Sequence, residues 1–385
     1  MSKDDLLSEG ILPKVEGLFV DGPSPDAVLL SHGHLDHGGL IGSTPTGVPV
    51  YASRGTSKMM LAGGIFAGQV SIPRDQFREI KPEQPTQVGA FTVTAFAVDH
   101  SIFGCLAYLI EADGKSILYT GDLRLHGRKT GMAKRLIEVL SNHPVDVMLM
   151  EGTHFGFPDG KEVTEYEIED EIAKHVSEAS GLVVTYFSPQ HVDRLVAFIR
   201  AAKKNNRTFV VDVYGSFVLH TIRSETPVPV PGKDELVRVF YPRFFEDSAQ
   251  RRGLKKLSDR FEASRISMEE IVADPSKYLM IFRPSMLESD FAGTFPTGTT
   301  CLYSSWSGYL EKSDWKTTTE RITAADGKLI EVHTSGHIRS SDIVRFVKAI
   351  SPTTVIPVHT FQPETFQQHF ENVKLLSDGE SWTVG

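Results

Sequence analysis

Between Ser31 and His37 the chain reads Ser-His-Gly-His-Leu-Asp-His, which sets His32, His34, Asp36 and His37 within six residues. Imidazoles and a carboxylate crowded into one loop are the donor set of a borderline-soft divalent ion such as zinc. A lone core histidine is ordinarily just hydrogen-bonded; three histidines and an aspartate at this spacing are hard to explain by packing. Four more candidates stand at the ends of apolar runs, where α/β proteins place their sites. His100 follows the run 91–98 in Val-Asp-His-Ser, and Asp122 follows 117–120 in Thr-Gly-Asp-Leu-Arg. His337 lies in His-Thr-Ser-Gly-His, and His359 closes Val-Ile-Pro-Val-His. Singly, each could cap or hydrogen-bond. Together with residues 31–37 they read as a metal shell.

The elements that must position these residues alternate. The run 27–30 reads as a strand, and Gly33 with Gly38-Gly39 as the loop behind it. Further strands are expected over 49–52, 91–98, 105–111, 116–120 and 145–150, and helices near 54–67 and 129–142. From 162 the units lengthen: an acidic helix over 163–180 stopped by Gly181, a strand over 182–186, a basic helix over 192–204 and a strand over 208–213. Strand, helix, strand in that order implies parallel pairing. Residues 225–275 are polar and yield little. Strands resume over 278–282 and 299–303. The last segment carries a strand over 328–332, a helix over 341–350 and a strand over 354–358. One domain interrupted by another, with the final segment rejoining the first, accounts for this order.

The 385 residues carry a net charge of −9, which counts mildly against a nucleic-acid binder, although a local basic cleft or a metal centre can hold phosphate on an acidic protein. No window approaches a membrane span, and the opening Met-Ser-Lys-Asp-Asp is not a secretory signal. Cys105 and Cys301, far apart, suit a reducing cytoplasm and read as buried hydrophobes.

The order of motifs resembles the metallo-β-lactamase superfamily and, within it, the β-CASP nucleases of the ribonuclease J type. His-Gly-His-Leu-Asp-His is similar to the signature loop, His100 to the second-motif histidine and Asp122 to the bridging aspartate. Glu151 in Met-Leu-Met-Glu-Gly-Thr-His, His337 in Thr-Ser-Gly-His and His359 in Pro-Val-His-Thr resemble the three β-CASP motifs. The resemblance implies an αββα sandwich, residues 1–180 and 331–385, interrupted by an α/β β-CASP domain over 181–330, with the active site in the cleft between them. It implies a metal-binding hydrolase with two divalent ions, zinc first and manganese as the alternative. His32, His34 and His100 would hold one ion, Asp36, His37 and His359 the other, and Asp122 would bridge them. A metal-activated hydroxide would then cut a phosphodiester. Asp36 would also orient the attacking water, and His337 would contact the scissile phosphate or protonate the leaving oxygen. Glu151 would hydrogen-bond a neighbouring histidine.

Ser335 and the backbone at Gly336 could donate to a substrate phosphate. So could Ser188, although Ser188 could equally cap the helix that follows it. Arg124, His126, Arg128 and Lys129 read as a substrate groove or a solvated face, and Tyr303 to Trp306 as base-stacking residues or core. The implied substrate is single-stranded RNA, cut internally or by 5′ exonuclease action in RNA processing. DNA, a small ester or lactone, and an inactive binding protein are the alternatives; a homodimer is compatible. Only 31 residues precede His32, so the first strands of the lactamase-like fold are expected to be missing. A C-terminal extension seen in some ribonuclease J proteins is likewise expected to be absent.

Overall fold

The computed structural model describes residues 3–158 and 163–385. Contacts divide the chain into a discontinuous unit, Met1–Glu162 with Gly336–Gly385, and a second unit, Val163–Ser335.

The first unit is built on two sheets. A six-stranded sheet runs in the order Thr354–Val358, Val147–Glu151, Lys115–Tyr119, Leu106–Ala112, Phe91–Ala97, Thr86–Val88. Its first three strands pair in parallel and the rest antiparallel. A three-stranded parallel sheet joins Val28–Leu29, Val50–Ala52 and Phe77–Glu79. The two sheets are tied by the buried Tyr108, whose hydroxyl donates to the Leu30 carbonyl at 2.8 Å, and by the Leu106 amide on the Ser31 carbonyl. This tie fixes the strand end from which residues 31–37 depart. Leu30, Val50, Ala52 and Met60 pack beneath it.

Helix Arg54–Phe66 forms despite four glycine-and-serine positions that disfavour helix. Ser53 caps it, with Oγ accepting from the Thr56 amide at 2.8 Å. Gly55 lets its first turn lie against Gly104, whose φ of +95° only glycine adopts readily. A Cβ on Gly104 would sit 2.5 Å from the Thr56 nitrogen. Gly104→Ala is therefore expected to lower the unfolding free energy by roughly 1–3 kcal/mol. A urea midpoint equal to that of the parent protein would contradict this.

The second unit is a six-stranded, wholly parallel sheet in the order Val237–Phe240, Thr208–Asp212, Tyr278–Ile281, Val183–Tyr186, Thr300–Tyr303, Lys328–Glu331. Helices Glu165–Glu178 and Val192–Lys204 pack on one another. The first carries a full capping box, Thr164 with Glu167. The second is the basic helix expected over 192–204, and its Arg194 is fully buried and pairs with the equally buried Glu165 at 2.9 Å. That pairing also explains why the helix beginning at Glu165, read from sequence as the end of the first domain, lies in the second unit. The boundaries fall at 162/163 and 335/336 rather than 180/181 and 330/331. Residues 159–162 lie outside the described residues.

Candidate metal centre

All nine residues singled out for the metal shell and its neighbours lie in the first unit. His32 and His34 occupy the loop after Val28–Leu29, and Asp36 and His37 the short helix Leu35–Gly38. His100 follows Phe91–Ala97, Asp122 follows Lys115–Tyr119, Glu151 ends Val147–Glu151 and His359 follows Thr354–Val358. His359 holds a φ of +52°, a left-handed backbone that costs a non-glycine residue energy and is typical of functional sites.

His32, His34 and His100 each offer a nitrogen to one point, and Asp36, His37, Asp122 and His359 form a second such group. His32 Nε2 and His100 Nε2 both stand 3.1 Å from His34 Nδ1. His100 Nδ1 donates to the Gly336 carbonyl at 2.6 Å, so its Nε2 carries a lone pair. A single N–H at His34 cannot point at both neighbours, so one contact brings two nitrogens together with no hydrogen between them. A cation at their centre removes that conflict, and ligands ~2.0–2.1 Å from a tetrahedral ion stand about 3.3 Å apart.

Asp122 sits between the groups. Its Oδ2 is 3.1 Å from His37 Nε2, 3.6 Å from His32 Nε2 and 3.8 Å from His100 Nε2. Its Oδ1 is buried without a hydrogen-bond partner among the described residues, the state of a carboxylate oxygen reserved for an ion. The donor set thus fits divalent metal.

Glu151 is buried and ties three motifs. Its Oε1 accepts from the Leu123 amide at 3.0 Å, and its Oε2 lies 3.3 Å from His337 Nδ1. Thr153, which sequence reasoning passed over although it lies in Glu-Gly-Thr-His, links the last two histidines: its Oγ1 stands 2.8 Å from His359 Nδ1 and 3.2 Å from His337 Nδ1. Gly336 gives His100 its carbonyl, and a Cβ there would meet Ser101 Oγ at 2.4 Å.

Protonation follows this geometry. Burial holds His34 down at about 4, and burial with the neighbouring imidazoles holds His32 and His100 well below their usual value, which leaves lone pairs for a metal. The hydrogen bond to Asp36 lifts His359 to about 9, and that contact lowers Asp36 in turn. Burial acts to lower His337, but the Glu151 hydrogen bond and charge outweigh it and leave it raised. Burial likewise opposes the charge on Asp122, and the His37 hydrogen bond prevails.

Metal-free protein is therefore expected to be most stable near pH 6.5. Below that value unfolded His34 protonates before the folded residue does at about 4, so stability falls with acid. His359 contributes stability that is complete below 6.5 and lost as pH rises through about 9. Urea midpoints measured in chelator from about pH 5 to 9 check this; a steady rise across the range would contradict it.

The remaining sequence candidates fall elsewhere. Ser188 and Ser335 lie in the second unit. Ser188 is exposed and is not the cap of the next helix, whose N-cap is His191. Arg124 is neither groove nor solvated face: it is fully buried, 3.2 Å from Asp99 Oδ1, and His126 is buried too. Asp99 also takes the Lys129 amide at 2.9 Å, so this charged run is an internal brace beside His100. His154 meets the His337 ring edge-on at 6.0 Å.

Residues 12–159 match the family model described as a beta-lactamase superfamily domain. A ribonuclease J of Mycolicibacterium smegmatis is 30% identical over 191 residues, 46% of this chain and 32% of the relative. A ribonuclease J of Sinorhizobium meliloti is 24% identical over 359 residues, 91% of this chain and 60% of the relative. The chain thus spans between about a third and three fifths of these relatives' length. A crystal structure of a protein of unknown function from Enterococcus faecalis V583 superposes with a TM-score of 0.79 at 21% identity, over 98% of this chain and 88% of that one, and shares the fold. No helix among the described residues is long and apolar enough to cross a membrane.

Proposed function

We propose that the chain is a member of the metallo-β-lactamase superfamily of the ribonuclease J-like kind, and a metal-dependent phosphodiester hydrolase acting on single-stranded RNA; the family model over residues 12–159 and the likeness to ribonuclease J proteins support this. The observation that carries this reading is Asp122, a buried carboxylate within 3.8 Å of histidines from both donor groups, one oxygen of which has no hydrogen-bond partner among the described residues and lies 3.6 Å from His359 Nδ1. His32, His34 and His100 would hold one divalent ion and Asp36, His37 and His359 a second, with Asp122 within reach of both. Zinc suits this histidine-rich set, and manganese is the alternative. Bound ions supply Lewis acidity and lower the pKa of water.

The chain's own residues supply the rest. Asp36, whose side chain is exposed, would orient the attacking water. His337, raised in pKa by Glu151, meets the phosphate as a cation or gives its proton to the leaving oxygen. Glu151 and Thr153 keep His337 and His359 in place. The second unit corresponds to a β-CASP domain, in which Ser188 and Ser335 are candidates to donate to a substrate phosphate; in the first unit the backbone at Gly336 is another. The free, buried Cys105 and Cys301 suit a cytoplasmic setting.

A substrate panel tests the reading. Metal-analysed protein is given 5′-monophosphorylated single-stranded RNA, the matching DNA, and a p-nitrophenyl ester. Faster loss of RNA is expected, and the product ladder separates 5′ exonucleolytic from internal cutting. Preference for DNA would reassign the substrate. Ester hydrolysis with both strands intact would make the protein a small-molecule hydrolase.

A further inference from the structure

The second unit carries an aromatic seat that shares no residue with the metal centre. Of the pair Tyr303 and Trp306, Tyr303 is wholly buried, the last residue of strand Thr300–Tyr303, whereas Trp306 is 62% exposed just beyond that strand's carboxyl end. The carboxyl edge of a parallel sheet is where such folds bind ligands. The backbone at Trp306 is pinned, because its carbonyl accepts from the Tyr303 hydroxyl at 2.9 Å and from the Tyr309 amide at 3.2 Å.

The indole itself is seated. A Cβ on Gly308 would stand 2.4 to 2.6 Å from three atoms of its six-membered ring, so the ring lies against bare glycine backbone. Tyr309, 39% exposed, meets it edge-on, with centroids 5.3 Å apart at 85°. Lys312 Nζ lies over the Tyr309 ring, 4.6 Å from its centroid. The neighbouring acids are engaged: Glu311 pairs with Lys316 at 3.2 Å, and Asp314 accepts from the Trp315 amide at 2.9 Å.

An indole seated on glycine yet largely exposed, with an ammonium over the neighbouring Tyr309 ring, matches a flat π-face carried on an anionic chain. We infer that Trp306, seated on Gly308 beside Tyr309 and Lys312, is a stacking platform for an unpaired base of single-stranded nucleic acid. This deepens the nuclease reading and rests on it for the identity of the ligand. Stacking of a base on an aromatic face tolerates any sequence, so the platform grips a strand without selecting it.

The test measures binding of metal-loaded protein to a single-stranded oligonucleotide with hydrolysis-resistant phosphorothioate linkages, and to an abasic strand of the same length. Trp306→Ala is expected to weaken binding of the base-bearing strand by roughly 5- to 150-fold. Trp306→Phe, which keeps an aromatic face, should recover much of that affinity. Gly308→Ala, which unseats the indole, should weaken binding in the same direction. Affinity for the abasic strand should not follow these changes. Equal affinity of Trp306→Ala and parent for the base-bearing strand would overturn the inference, as would equal losses on both strands. If the metal-loaded protein cleaves no unmodified strand of the substrate panel yet Trp306→Ala still loses base-dependent binding to the resistant strand, the hydrolase reading falls and the platform stands. Cleavage with unchanged binding by Trp306→Ala sinks the platform alone.

Discussion

Asp122→Ala is expected to strip the protein of metal and activity together. Zinc content should drop from about two per chain to one or fewer, and RNA hydrolysis should fall by about 10³-fold or more, on the order of 4 kcal/mol of barrier. The expectation comes from position. Asp122 Oδ2 lies 3.1 Å from His37 and 3.6 Å from His32, so one side chain serves both donor groups, and the loss of a shared ligand weakens both ions. The same substitution removes the carboxylate that offsets repulsion between His337 and His359, so metal-free protein should also unfold at lower urea near neutral pH. Metal analysis beside a rate measurement checks both halves. A variant that keeps two ions and full activity would show that Asp122 is not shared.

His337→Gln separates chemistry from metal binding. His337 belongs to a group with Asp122, Glu151 and His359 that could itself hold an ion, so two roles compete. Its Nδ1 is engaged by Glu151 at 3.3 Å and by Thr153 at 3.2 Å, and its pKa is raised rather than lowered. Those are the surroundings of a cationic proton donor, in contrast to the imidazoles of His32, His34 and His100, which burial keeps neutral. The variant is therefore expected to keep its metal while kcat falls by about 10²- to 10⁴-fold. The alkaline limb of the kcat profile, set in the parent by loss of the His337 proton, should vanish with it. Glu151→Gln should lower the pH of that limb, because it removes the charge that raises His337. Loss of one ion in His337→Gln would make His337 a ligand instead.

The site was more legible in the sequence than the fold around it. His32, His34, Asp36 and His37 announce themselves because donors within six residues need no fold to bring them near one another. His100, Asp122 and His359 were found because each ends an apolar run, and strand ends converge on one edge of a sheet. Thr153 carries no such mark: a threonine is chemically ordinary until two histidines are seen to share its hydroxyl. Charge misled in another way. Arg124 reads as part of a groove or a solvated face and Arg194 as one charge of a basic helix, and only the fold reveals the buried partners, Asp99 and Glu165, that make their burial tolerable.

Amphipathic helices such as Val192–Lys204 emerged within a residue or two of their bounds. Helix Val213–Ile222 did not. Its residues are β-branched, aromatic and apolar nearly all round, so no polar face marks the period, and the expected strand ran on into Val213. Its start signal is Asp212, whose carboxylate accepts from the Gly215 amide at 2.7 Å; the pattern of the neighbouring strand obscures it. The short edge strand Val237–Phe240 was missed because it sits among polar turns with too few residues to show alternation.

The most direct test of a dinuclear phosphodiester-cleaving centre in the first unit is reconstitution. Protein stripped by chelation is titrated with zinc, and in parallel with manganese, while cleavage of single-stranded RNA is followed beside an Asp36→Ala/His37→Ala control. The account predicts no cleavage by stripped protein, activity that climbs until about two ions per chain are bound, and none in the control at any metal concentration. Cleavage by stripped protein, or equal cleavage by the double variant, would contradict it.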